Sequence, residues 1–266
     1  MMNITEQEFN NFLEGLEFRE IVIPSTGEVS TMPLTSFNNV SMTGVYTATR
    51  SKVMRLILNP SIVPADLGDN KTLITMTAIE YANRNIPPYN EIIVGFLVNI
   101  GKKAAPPTVE SLLQPNFGGS YLYIHHLIVD TRLAEILGNE ILGYNKFMST
   151  IEFSETEQSR TCVVSEAGQE MFRFTVYPEV DNGGYDYDKD TNTVATYKNG
   201  KINLLSYPIA VKLPKNQPKK SKLTFGPHPL GKILFNLDIS EQPLGIKYSR
   251  DWRLYSDERN LKTVEP

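Results

Sequence analysis

Apolar and polar positions change their period several times along the chain. In "ITEQEFNNFLEGL" (4–16), Ile4, Phe9, Phe12, Leu13 and Leu16 return near one face of a 3.6-residue repeat. With Thr5 as a cap ahead of Gln7 and Glu8, and Gly15 near the stop, this predicts a short amphipathic N-terminal helix. From about residue 43 the period falls to two: "GVYTATR" alternates, "KTLITMTAIEYA" is β-branched and nearly alternating, and "NEIIVGFLVNI" is a continuous apolar strand. Residues 130–143 interrupt that series. Asp130 is a candidate N-cap, Leu133, Ile136, Leu137 and Ile141 return at helical spacing, and Gly143 can supply the left-handed residue that ends a helix. After Tyr144 and Asn145, "KFMSTIEF" alternates again, with Phe147, Ile151 and Phe153 on one face and Lys146, Met148, Thr150 and Glu152 on the other. Lys146 therefore stands where a helix hands over to a strand.

Further strands are predicted at 160–164, 171–177, 193–198 and 201–206, the last two joined by Asn199-Gly200, the preferred dipeptide of a type I′ turn. So many strands around one central helix predict an α+β, mainly antiparallel β chain, with a large sheet open or closed into a barrel and few helices.

Composition narrows the setting. A chain of 266 residues, 41% hydrophobic, without internal repeats or a Gly/Pro-rich linker, is expected to form a single domain over 21–266 behind the N-terminal helix of 1–20. Its one cysteine, Cys162, allows no intrachain disulfide, and the polar, acidic N-terminus lacks the features of a secretory signal, so a cytoplasmic protein is expected. The longest apolar runs fall short of the ~18–20 residues that cross a bilayer, and a formal charge of -4 argues against a general nucleic-acid binder, so neither membrane nor nucleic acid is expected as a partner.

Several residue groups invite chemistry and fit plainer roles better. "DYDKDTNT" (186–193) sets Asp186, Asp188, Asp190 and Asn192 at alternate positions like the first half of a calcium loop, but Thr191 stands where such a loop needs Gly and Tyr197 where it needs a bidentate Glu; a solvated acidic hairpin loop is expected. His125 and His126 are adjacent, so on a regular strand they point to opposite faces; with His228 remote, they read as core or interface histidines and no metal site is predicted. The basic run "KLPKNQPKKSK" (212–222) reads as an exposed, extended connection, and Cys162, in a strand without a nearby base, as a buried structural thiol. Lys146 has two readings: a surface lysine suited to a helix C-terminus, or an amine held in a pocket.

The stretch "GNEILGYNKFM" (138–148), preceded by "YLYIHHLIVD" (121–130), resembles the acetoacetate decarboxylase superfamily. There a Gly-x-Glu element leads into an aromatic-Pro-Lys-Lys sequence whose first lysine forms a Schiff base with the substrate ketone, the position that Lys146 matches. "PPYNEIIVG" (87–95) is similar to the strand in which a Tyr-x-Glu element supplies a carboxylate, here Glu91, and "LTFGPHPLGKILFNLDISEQPLGIKYSRDW" (223–252) to the closing strand and helix, with a turn at Leu244-Gly245-Ile246.

The resemblance covers about residues 43–255 and implies a closed β-barrel with a few helices. It further implies a Schiff-base lyase acting without metal or organic cofactor on a small oxo acid or related carbonyl compound, by decarboxylation or by aldol condensation and dehydration. Lys146 and Glu91 would be catalytic, with Tyr89, Tyr144 and Phe147 against the substrate, in a homo-oligomer. The alternative is a non-catalytic barrel of the same fold that binds a small molecule.

The departures are specific. Asn145 replaces the proline and Phe147 the second lysine, whose charge is one way to lower the pKa of the first; desolvation is the other. Met42 falls near the arginine that receives the substrate carboxylate, with Arg50 and Arg84 as possible substitutes, and Thr75 falls near a second carboxylate.

Overall fold

The computed structural model describes residues 10–101, 119–179 and 185–264, apart from the side chains of 83, 84 and 187–190. Of the predicted N-terminal helix, 4–9 lie outside the described residues; 10–12 are helical, and Gly15, at φ 82°, ends the turn that follows.

Seven strands close the main sheet. They are β3 (Leu34–Thr49), β5 (Lys71–Tyr81), β7 (Tyr89–Ile100), β8 (Tyr121–Val129), β13 (Tyr185–Lys198), β14 (Lys201–Pro214) and β16 (Gly245–Ser256). The order runs β7-β5-β3-β16-β14-β13-β8, and a β7–β8 ladder joins the two ends, so the mainly antiparallel barrel predicted by the resemblance is present. The β8–β13 contact is parallel. Asn199 and Gly200 both have positive φ in the β13–β14 hairpin, as the type I′ turn requires.

Shorter strands attach to this ring: β4 (Ile62–Pro64) to β7, β6 (Asn83–Arg84) to β3, β9 (Lys146–Met148) to β8 and β17 (Leu261–Val264) to β14. A separate hairpin pairs β1 (Arg19–Val22) with β2 (Val29–Met32). A second sheet, in the order β10 (Thr150–Glu155), β11 (Arg160–Glu166), β12 (Gln169–Val176), β15 (Ser221–Phe225), covers part of the barrel's outer face.

Among the described residues, the α-helices beyond 10–12 are α1 (Arg50–Met54), α2 (Arg132–Glu140) and α3 (Pro229–Phe235). Among the described residues no helix is long and apolar enough to cross a membrane.

Alternation in the strands separates two large cores, beside a small cluster of Ala65, Leu73 and Leu97. One lies between the barrel's outer face and the second sheet with α3, and includes Met42, Phe96, Cys162, Phe172 and Leu234. The other fills one end of the barrel interior, where Ala134, Ile136 and Leu137 of α2 pack against Ile79, Ile93, Leu127 and Trp252. Helix α2 thus plugs the barrel with the face that its sequence periodicity marks as apolar.

Four local expectations need correction. Asp130 does not cap α2: Thr131 is the N-cap residue, while the Asp130 carboxylate accepts from the backbone N–H and side-chain amide of Asn90, each at 2.8 Å. The alternating run after Lys146 is one pattern but two strands, since Ser149 separates β9, in the barrel, from β10, in the second sheet. The acidic segment 186–193 lies within β13 and pairs with β14, so it is strand and not hairpin loop.

The two histidines do not face opposite ways. His126 pairs with Val94 and Ile124 with Gly95, leaving His125 as the extra residue of a bulge, and the two rings lie with centroids 4.2 Å apart on the outer face beside Phe96 and Phe147. Burial holds both neutral, lowering His125 to about 3, with His126 a further cause, and His126 to about 4. Among the described residues no group of three or more His, Cys, Asp or Glu side chains could hold a metal ion.

Candidate active site

Lys146 enters the barrel because of how the chain leaves α2. The helix ends at Ile141, Gly143 adopts φ 72°, and the chain turns back so that β9 runs parallel to β8. The turn is fastened to β13 and β14: Thr196 Oγ1 donates to the Gly143 carbonyl at 2.9 Å, Asn203 donates to the same oxygen at 3.4 Å, and Asn145 donates to the Tyr197 carbonyl at 2.8 Å.

Asn139, in the last turn of α2, pairs with Lys146 like a strand partner, accepting its N–H at 2.5 Å and donating to its carbonyl at 2.9 Å. Lys198 donates to the carbonyls of Asn139 and Tyr144 at 2.6 and 2.7 Å, a cation at the helix's negative end. Partial burial lowers the Lys198 pKa, against the raising effect of Glu140.

Around the barrel, ladder register links distant positions. Lys146 pairs with Leu127, Leu127 with Ile93, Ile93 with Thr77, Thr77 with Thr43 and Thr43 with Lys247, so these residues share a row around the wall. Glu91, two residues from Ile93 on β7, points inward with it.

Lys146 is 8% and Glu91 5% exposed, and Lys146 Nζ lies 2.5 Å from Glu91 Oε2. Phenols complete the carboxylate's surroundings: Tyr81 donates to Oε1 at 3.2 Å and Tyr89 to Oε2 at 3.3 Å, while Tyr89 also accepts from Lys146 at 3.4 Å. The ammonium lies 5.3 and 5.6 Å from the ring centroids of Tyr89 and Tyr144. Burial, with Tyr207, Glu91 and Tyr89 nearby, raises the Tyr144 phenol well above its ordinary pKa, and burial and Glu91 raise Tyr207 likewise, so both remain proton donors.

This pair lies against a cavity of about 340 Å³, whose remaining wall is mostly aliphatic: Leu34, Ile79, Ile124, Leu142, Ile209 and Leu254 among others. Gly138 makes the lysine's course possible, because a Cβ there would overlap Lys146 Cδ and Cε.

Of the residues singled out in the sequence, Lys146, Glu91, Tyr89 and Tyr144 are brought together on the cavity wall. Phe147 is not: strand alternation turns it to the outer face, where its ring meets His126 edge-on with centroids 6.0 Å apart. Met42 packs wholly in the outer core, whereas its neighbours Ser41 and Thr43 line the cavity. Arg50 donates to the Pro64 carbonyl at 3.0 Å and lies 3.8 Å from Asp66, so it does not stand in for a carboxylate receptor. The Arg84 side chain lies outside the described residues, and Thr75 lines the cavity wall. Cys162 is wholly buried in the second sheet, which raises its thiol pKa, as expected of a structural cysteine. His228 caps α3, accepting from the Leu230 N–H at 3.2 Å, and pairs with Glu166 at 2.9 Å.

Sequence reasoning missed Tyr81, Gly138, Asn139 and Lys198. Tyr81 had a discoverable signal: paired with Tyr89 in the β5–β7 ladder, it faces the same side of the sheet as Glu91.

The family model described as Acetoacetate decarboxylase (ADC) matches residues 21–199. Among solved structures, one from "Structural Studies of Acetoacetate Decarboxylase" superposes with a TM-score of 0.63 at 10% identity, covering 88% of this chain and 89% of the other. The acetoacetate decarboxylase of Legionella pneumophila gives 0.59 at 12% identity, with 87% of each chain covered. The enduracididine biosynthesis enzyme MppR complexed with pyruvate gives 0.56 at 13%, covering 90% of this chain and 94% of its own. No curated protein matches significantly in sequence.

Proposed function

Since the chain belongs to the acetoacetate decarboxylase family, we propose that it is a carbon–carbon lyase in which Lys146 forms a Schiff base with a carbonyl compound. The observation that carries this reading is the buried Lys146–Glu91 pair, 2.5 Å apart against the cavity. A lysine that merely compensates a carboxylate does not need an open volume beside its amine; an imine-forming lysine does.

The chemistry follows from the two groups. Transfer of an ammonium proton to Glu91 leaves a neutral amine, which attacks the substrate carbonyl to give a carbinolamine. Glu91 returns the proton to the departing hydroxyl, water leaves, and a protonated imine remains beside the carboxylate. That cation accepts the electron pair of the bond broken next to it, whether to a carboxylate leaving as carbon dioxide or to a carbon leaving as an aldehyde. Protonation of the resulting enamine and hydrolysis by water regenerate the amine. Phenol hydrogen bonds from Tyr81 and Tyr89 keep Glu91 oriented throughout. The solved complex of MppR with pyruvate supports a carbonyl ligand for this architecture.

Acetylacetone tests this reading, because its imine tautomerises to a conjugated enaminone with a new near-ultraviolet band. The band is expected in the wild-type protein and absent from Lys146→Ala. Tight acetylacetone binding without the band in either protein would instead favour a non-catalytic binding barrel.

A further inference from the structure

The cavity differs from what a small oxo acid needs in charge and in size. Among the described residues lining it, Lys146, Lys247 and Glu91 are the charged ones, and no arginine is present. Lys247 is exposed, whereas Lys146 and Glu91 are buried. Once Lys146 becomes a protonated imine, Glu91 already balances its charge. A substrate carboxylate beside the imine would then be a surplus anion in an apolar enclosure, next to a carboxylate 2.5 Å from the reacting nitrogen.

The volume points the same way. At about 340 Å³ the cavity falls within the range of roughly 300–1,000 Å³ found for pockets that enclose drug-sized ligands, larger than a four-carbon oxo acid requires. The extra space is bounded by Leu122, Ile124, Ile209, Val211 and Leu213, which favour methylenes or an aromatic ring, and by Thr43 and Thr77, whose hydroxyls bond each other at 3.0 Å. Toward Lys247 the wall includes Leu244, which is 45% exposed, so the cavity opens to solvent on that side.

We propose that the substrate is an uncharged, elongated ketone whose carbonyl meets Lys146 and whose apolar chain runs along the barrel toward Leu244 and Lys247. The proposal rests on Lys146 forming an imine. A ketone of this kind has no carboxylate to lose, so the bond broken is the Cα–Cβ bond of a β-hydroxy ketone. Glu91 takes the β-hydroxyl proton, the β-carbon leaves as a neutral aldehyde, and the bonding pair enters the iminium to form an enamine. The enamine is protonated at Cα, and one water hydrolyses the imine to release the shorter ketone and the free amine.

A panel of carbonyl compounds, each trapped on the full chain by hydride reduction and counted by peptide mass spectrometry at Lys146, separates the two levels of the reading. Across acetone, 2-pentanone, 2-heptanone and 2-decanone, the half-saturating concentration is expected to fall by up to about fourfold per added methylene, the factor for burying a CH2. Acetoacetate should bind more weakly than methyl acetoacetate. A flat series, or tighter binding of acetoacetate, would overturn the substrate class while leaving the imine intact; no adduct from any ketone would remove the imine and the substrate class together. For the bond-breaking step, 4-hydroxy-4-phenylbutan-2-one is expected to release benzaldehyde with the wild-type protein and not with Lys146→Ala. A Lys146 adduct of that compound with no benzaldehyde released would overturn the aldol step.

Discussion

The amine of Lys146 lies 2.5 Å from the carboxylate of Glu91, although the two residues are 55 positions apart and both are buried. Each is the other's counter-charge in a mainly aliphatic enclosure. Removing one leaves a buried charge without its partner, so Glu91→Leu or Lys146→Met is expected to cost about 3–5 kcal/mol in urea unfolding. The double variant Lys146→Met/Glu91→Leu should be more stable than either single variant, and inactive. Additive losses in the double variant would mean that the pair is not coupled.

Gly138 tests how tightly the lysine's path is defined. In an exposed helix, Gly→Ala gains about 1 kcal/mol. Here the new methyl meets the Lys146 stem, and overpacking costs about 1–3 kcal/mol. Gly138→Ala is therefore expected to be neutral or destabilised, with enaminone formation from acetylacetone slowed at least tenfold. A stabilised variant with unchanged rate would show that the stem moves freely.

Asn139 acts on the backbone of Lys146, not on substrate. A displacement of about 1 Å in a reacting group can cost ~100-fold in rate, so Asn139→Ala should slow adduct formation by up to that factor while leaving ketone affinity, measured by competition, within about threefold. Equal losses in rate and affinity would instead indicate that the whole cavity has collapsed.

The two bulge histidines predict an acid-side loss of stability. Their folded pKa values, lowered to about 3 and about 4, lie below the unfolded value of ~6.5. Between those limits the unfolded chain binds more protons than the folded one, so stability should fall as pH drops from about 6.5 to 4. The slope measured by urea unfolding should shrink in His125→Gln/His126→Gln. An unchanged slope would assign the acid sensitivity to other groups.

Much of the framework was legible because it is set by local periodicity. The strands over 71–81 and 89–100, the helix over 132–140 and the turn at Asn199-Gly200 all follow from spacing and turn chemistry within a few residues. What failed depends on events that leave no periodic trace. A one-residue bulge put His125 and His126 on one side, and a single serine broke one alternating run into strands of two sheets. The inward direction of Lys146 was legible only through family resemblance, since a lysine after a helix also suits the surface. Its neighbour Phe147 was expected against the substrate through the same resemblance, where strand alternation turns it outward. Asn139 and Lys198 were hidden because ordinary polar residues acquire their roles only when the α2–β9 turn folds onto β13.

The most direct test of the central claim is to incubate the protein with 2-heptanone, reduce with borohydride and locate the added mass by peptide mass spectrometry, with Lys146→Ala as control. The account predicts one reduced adduct, on Lys146, with Lys198 and Lys247 unmodified and the control unlabelled. An unlabelled Lys146, or labelling no greater there than on the exposed lysines, would contradict it.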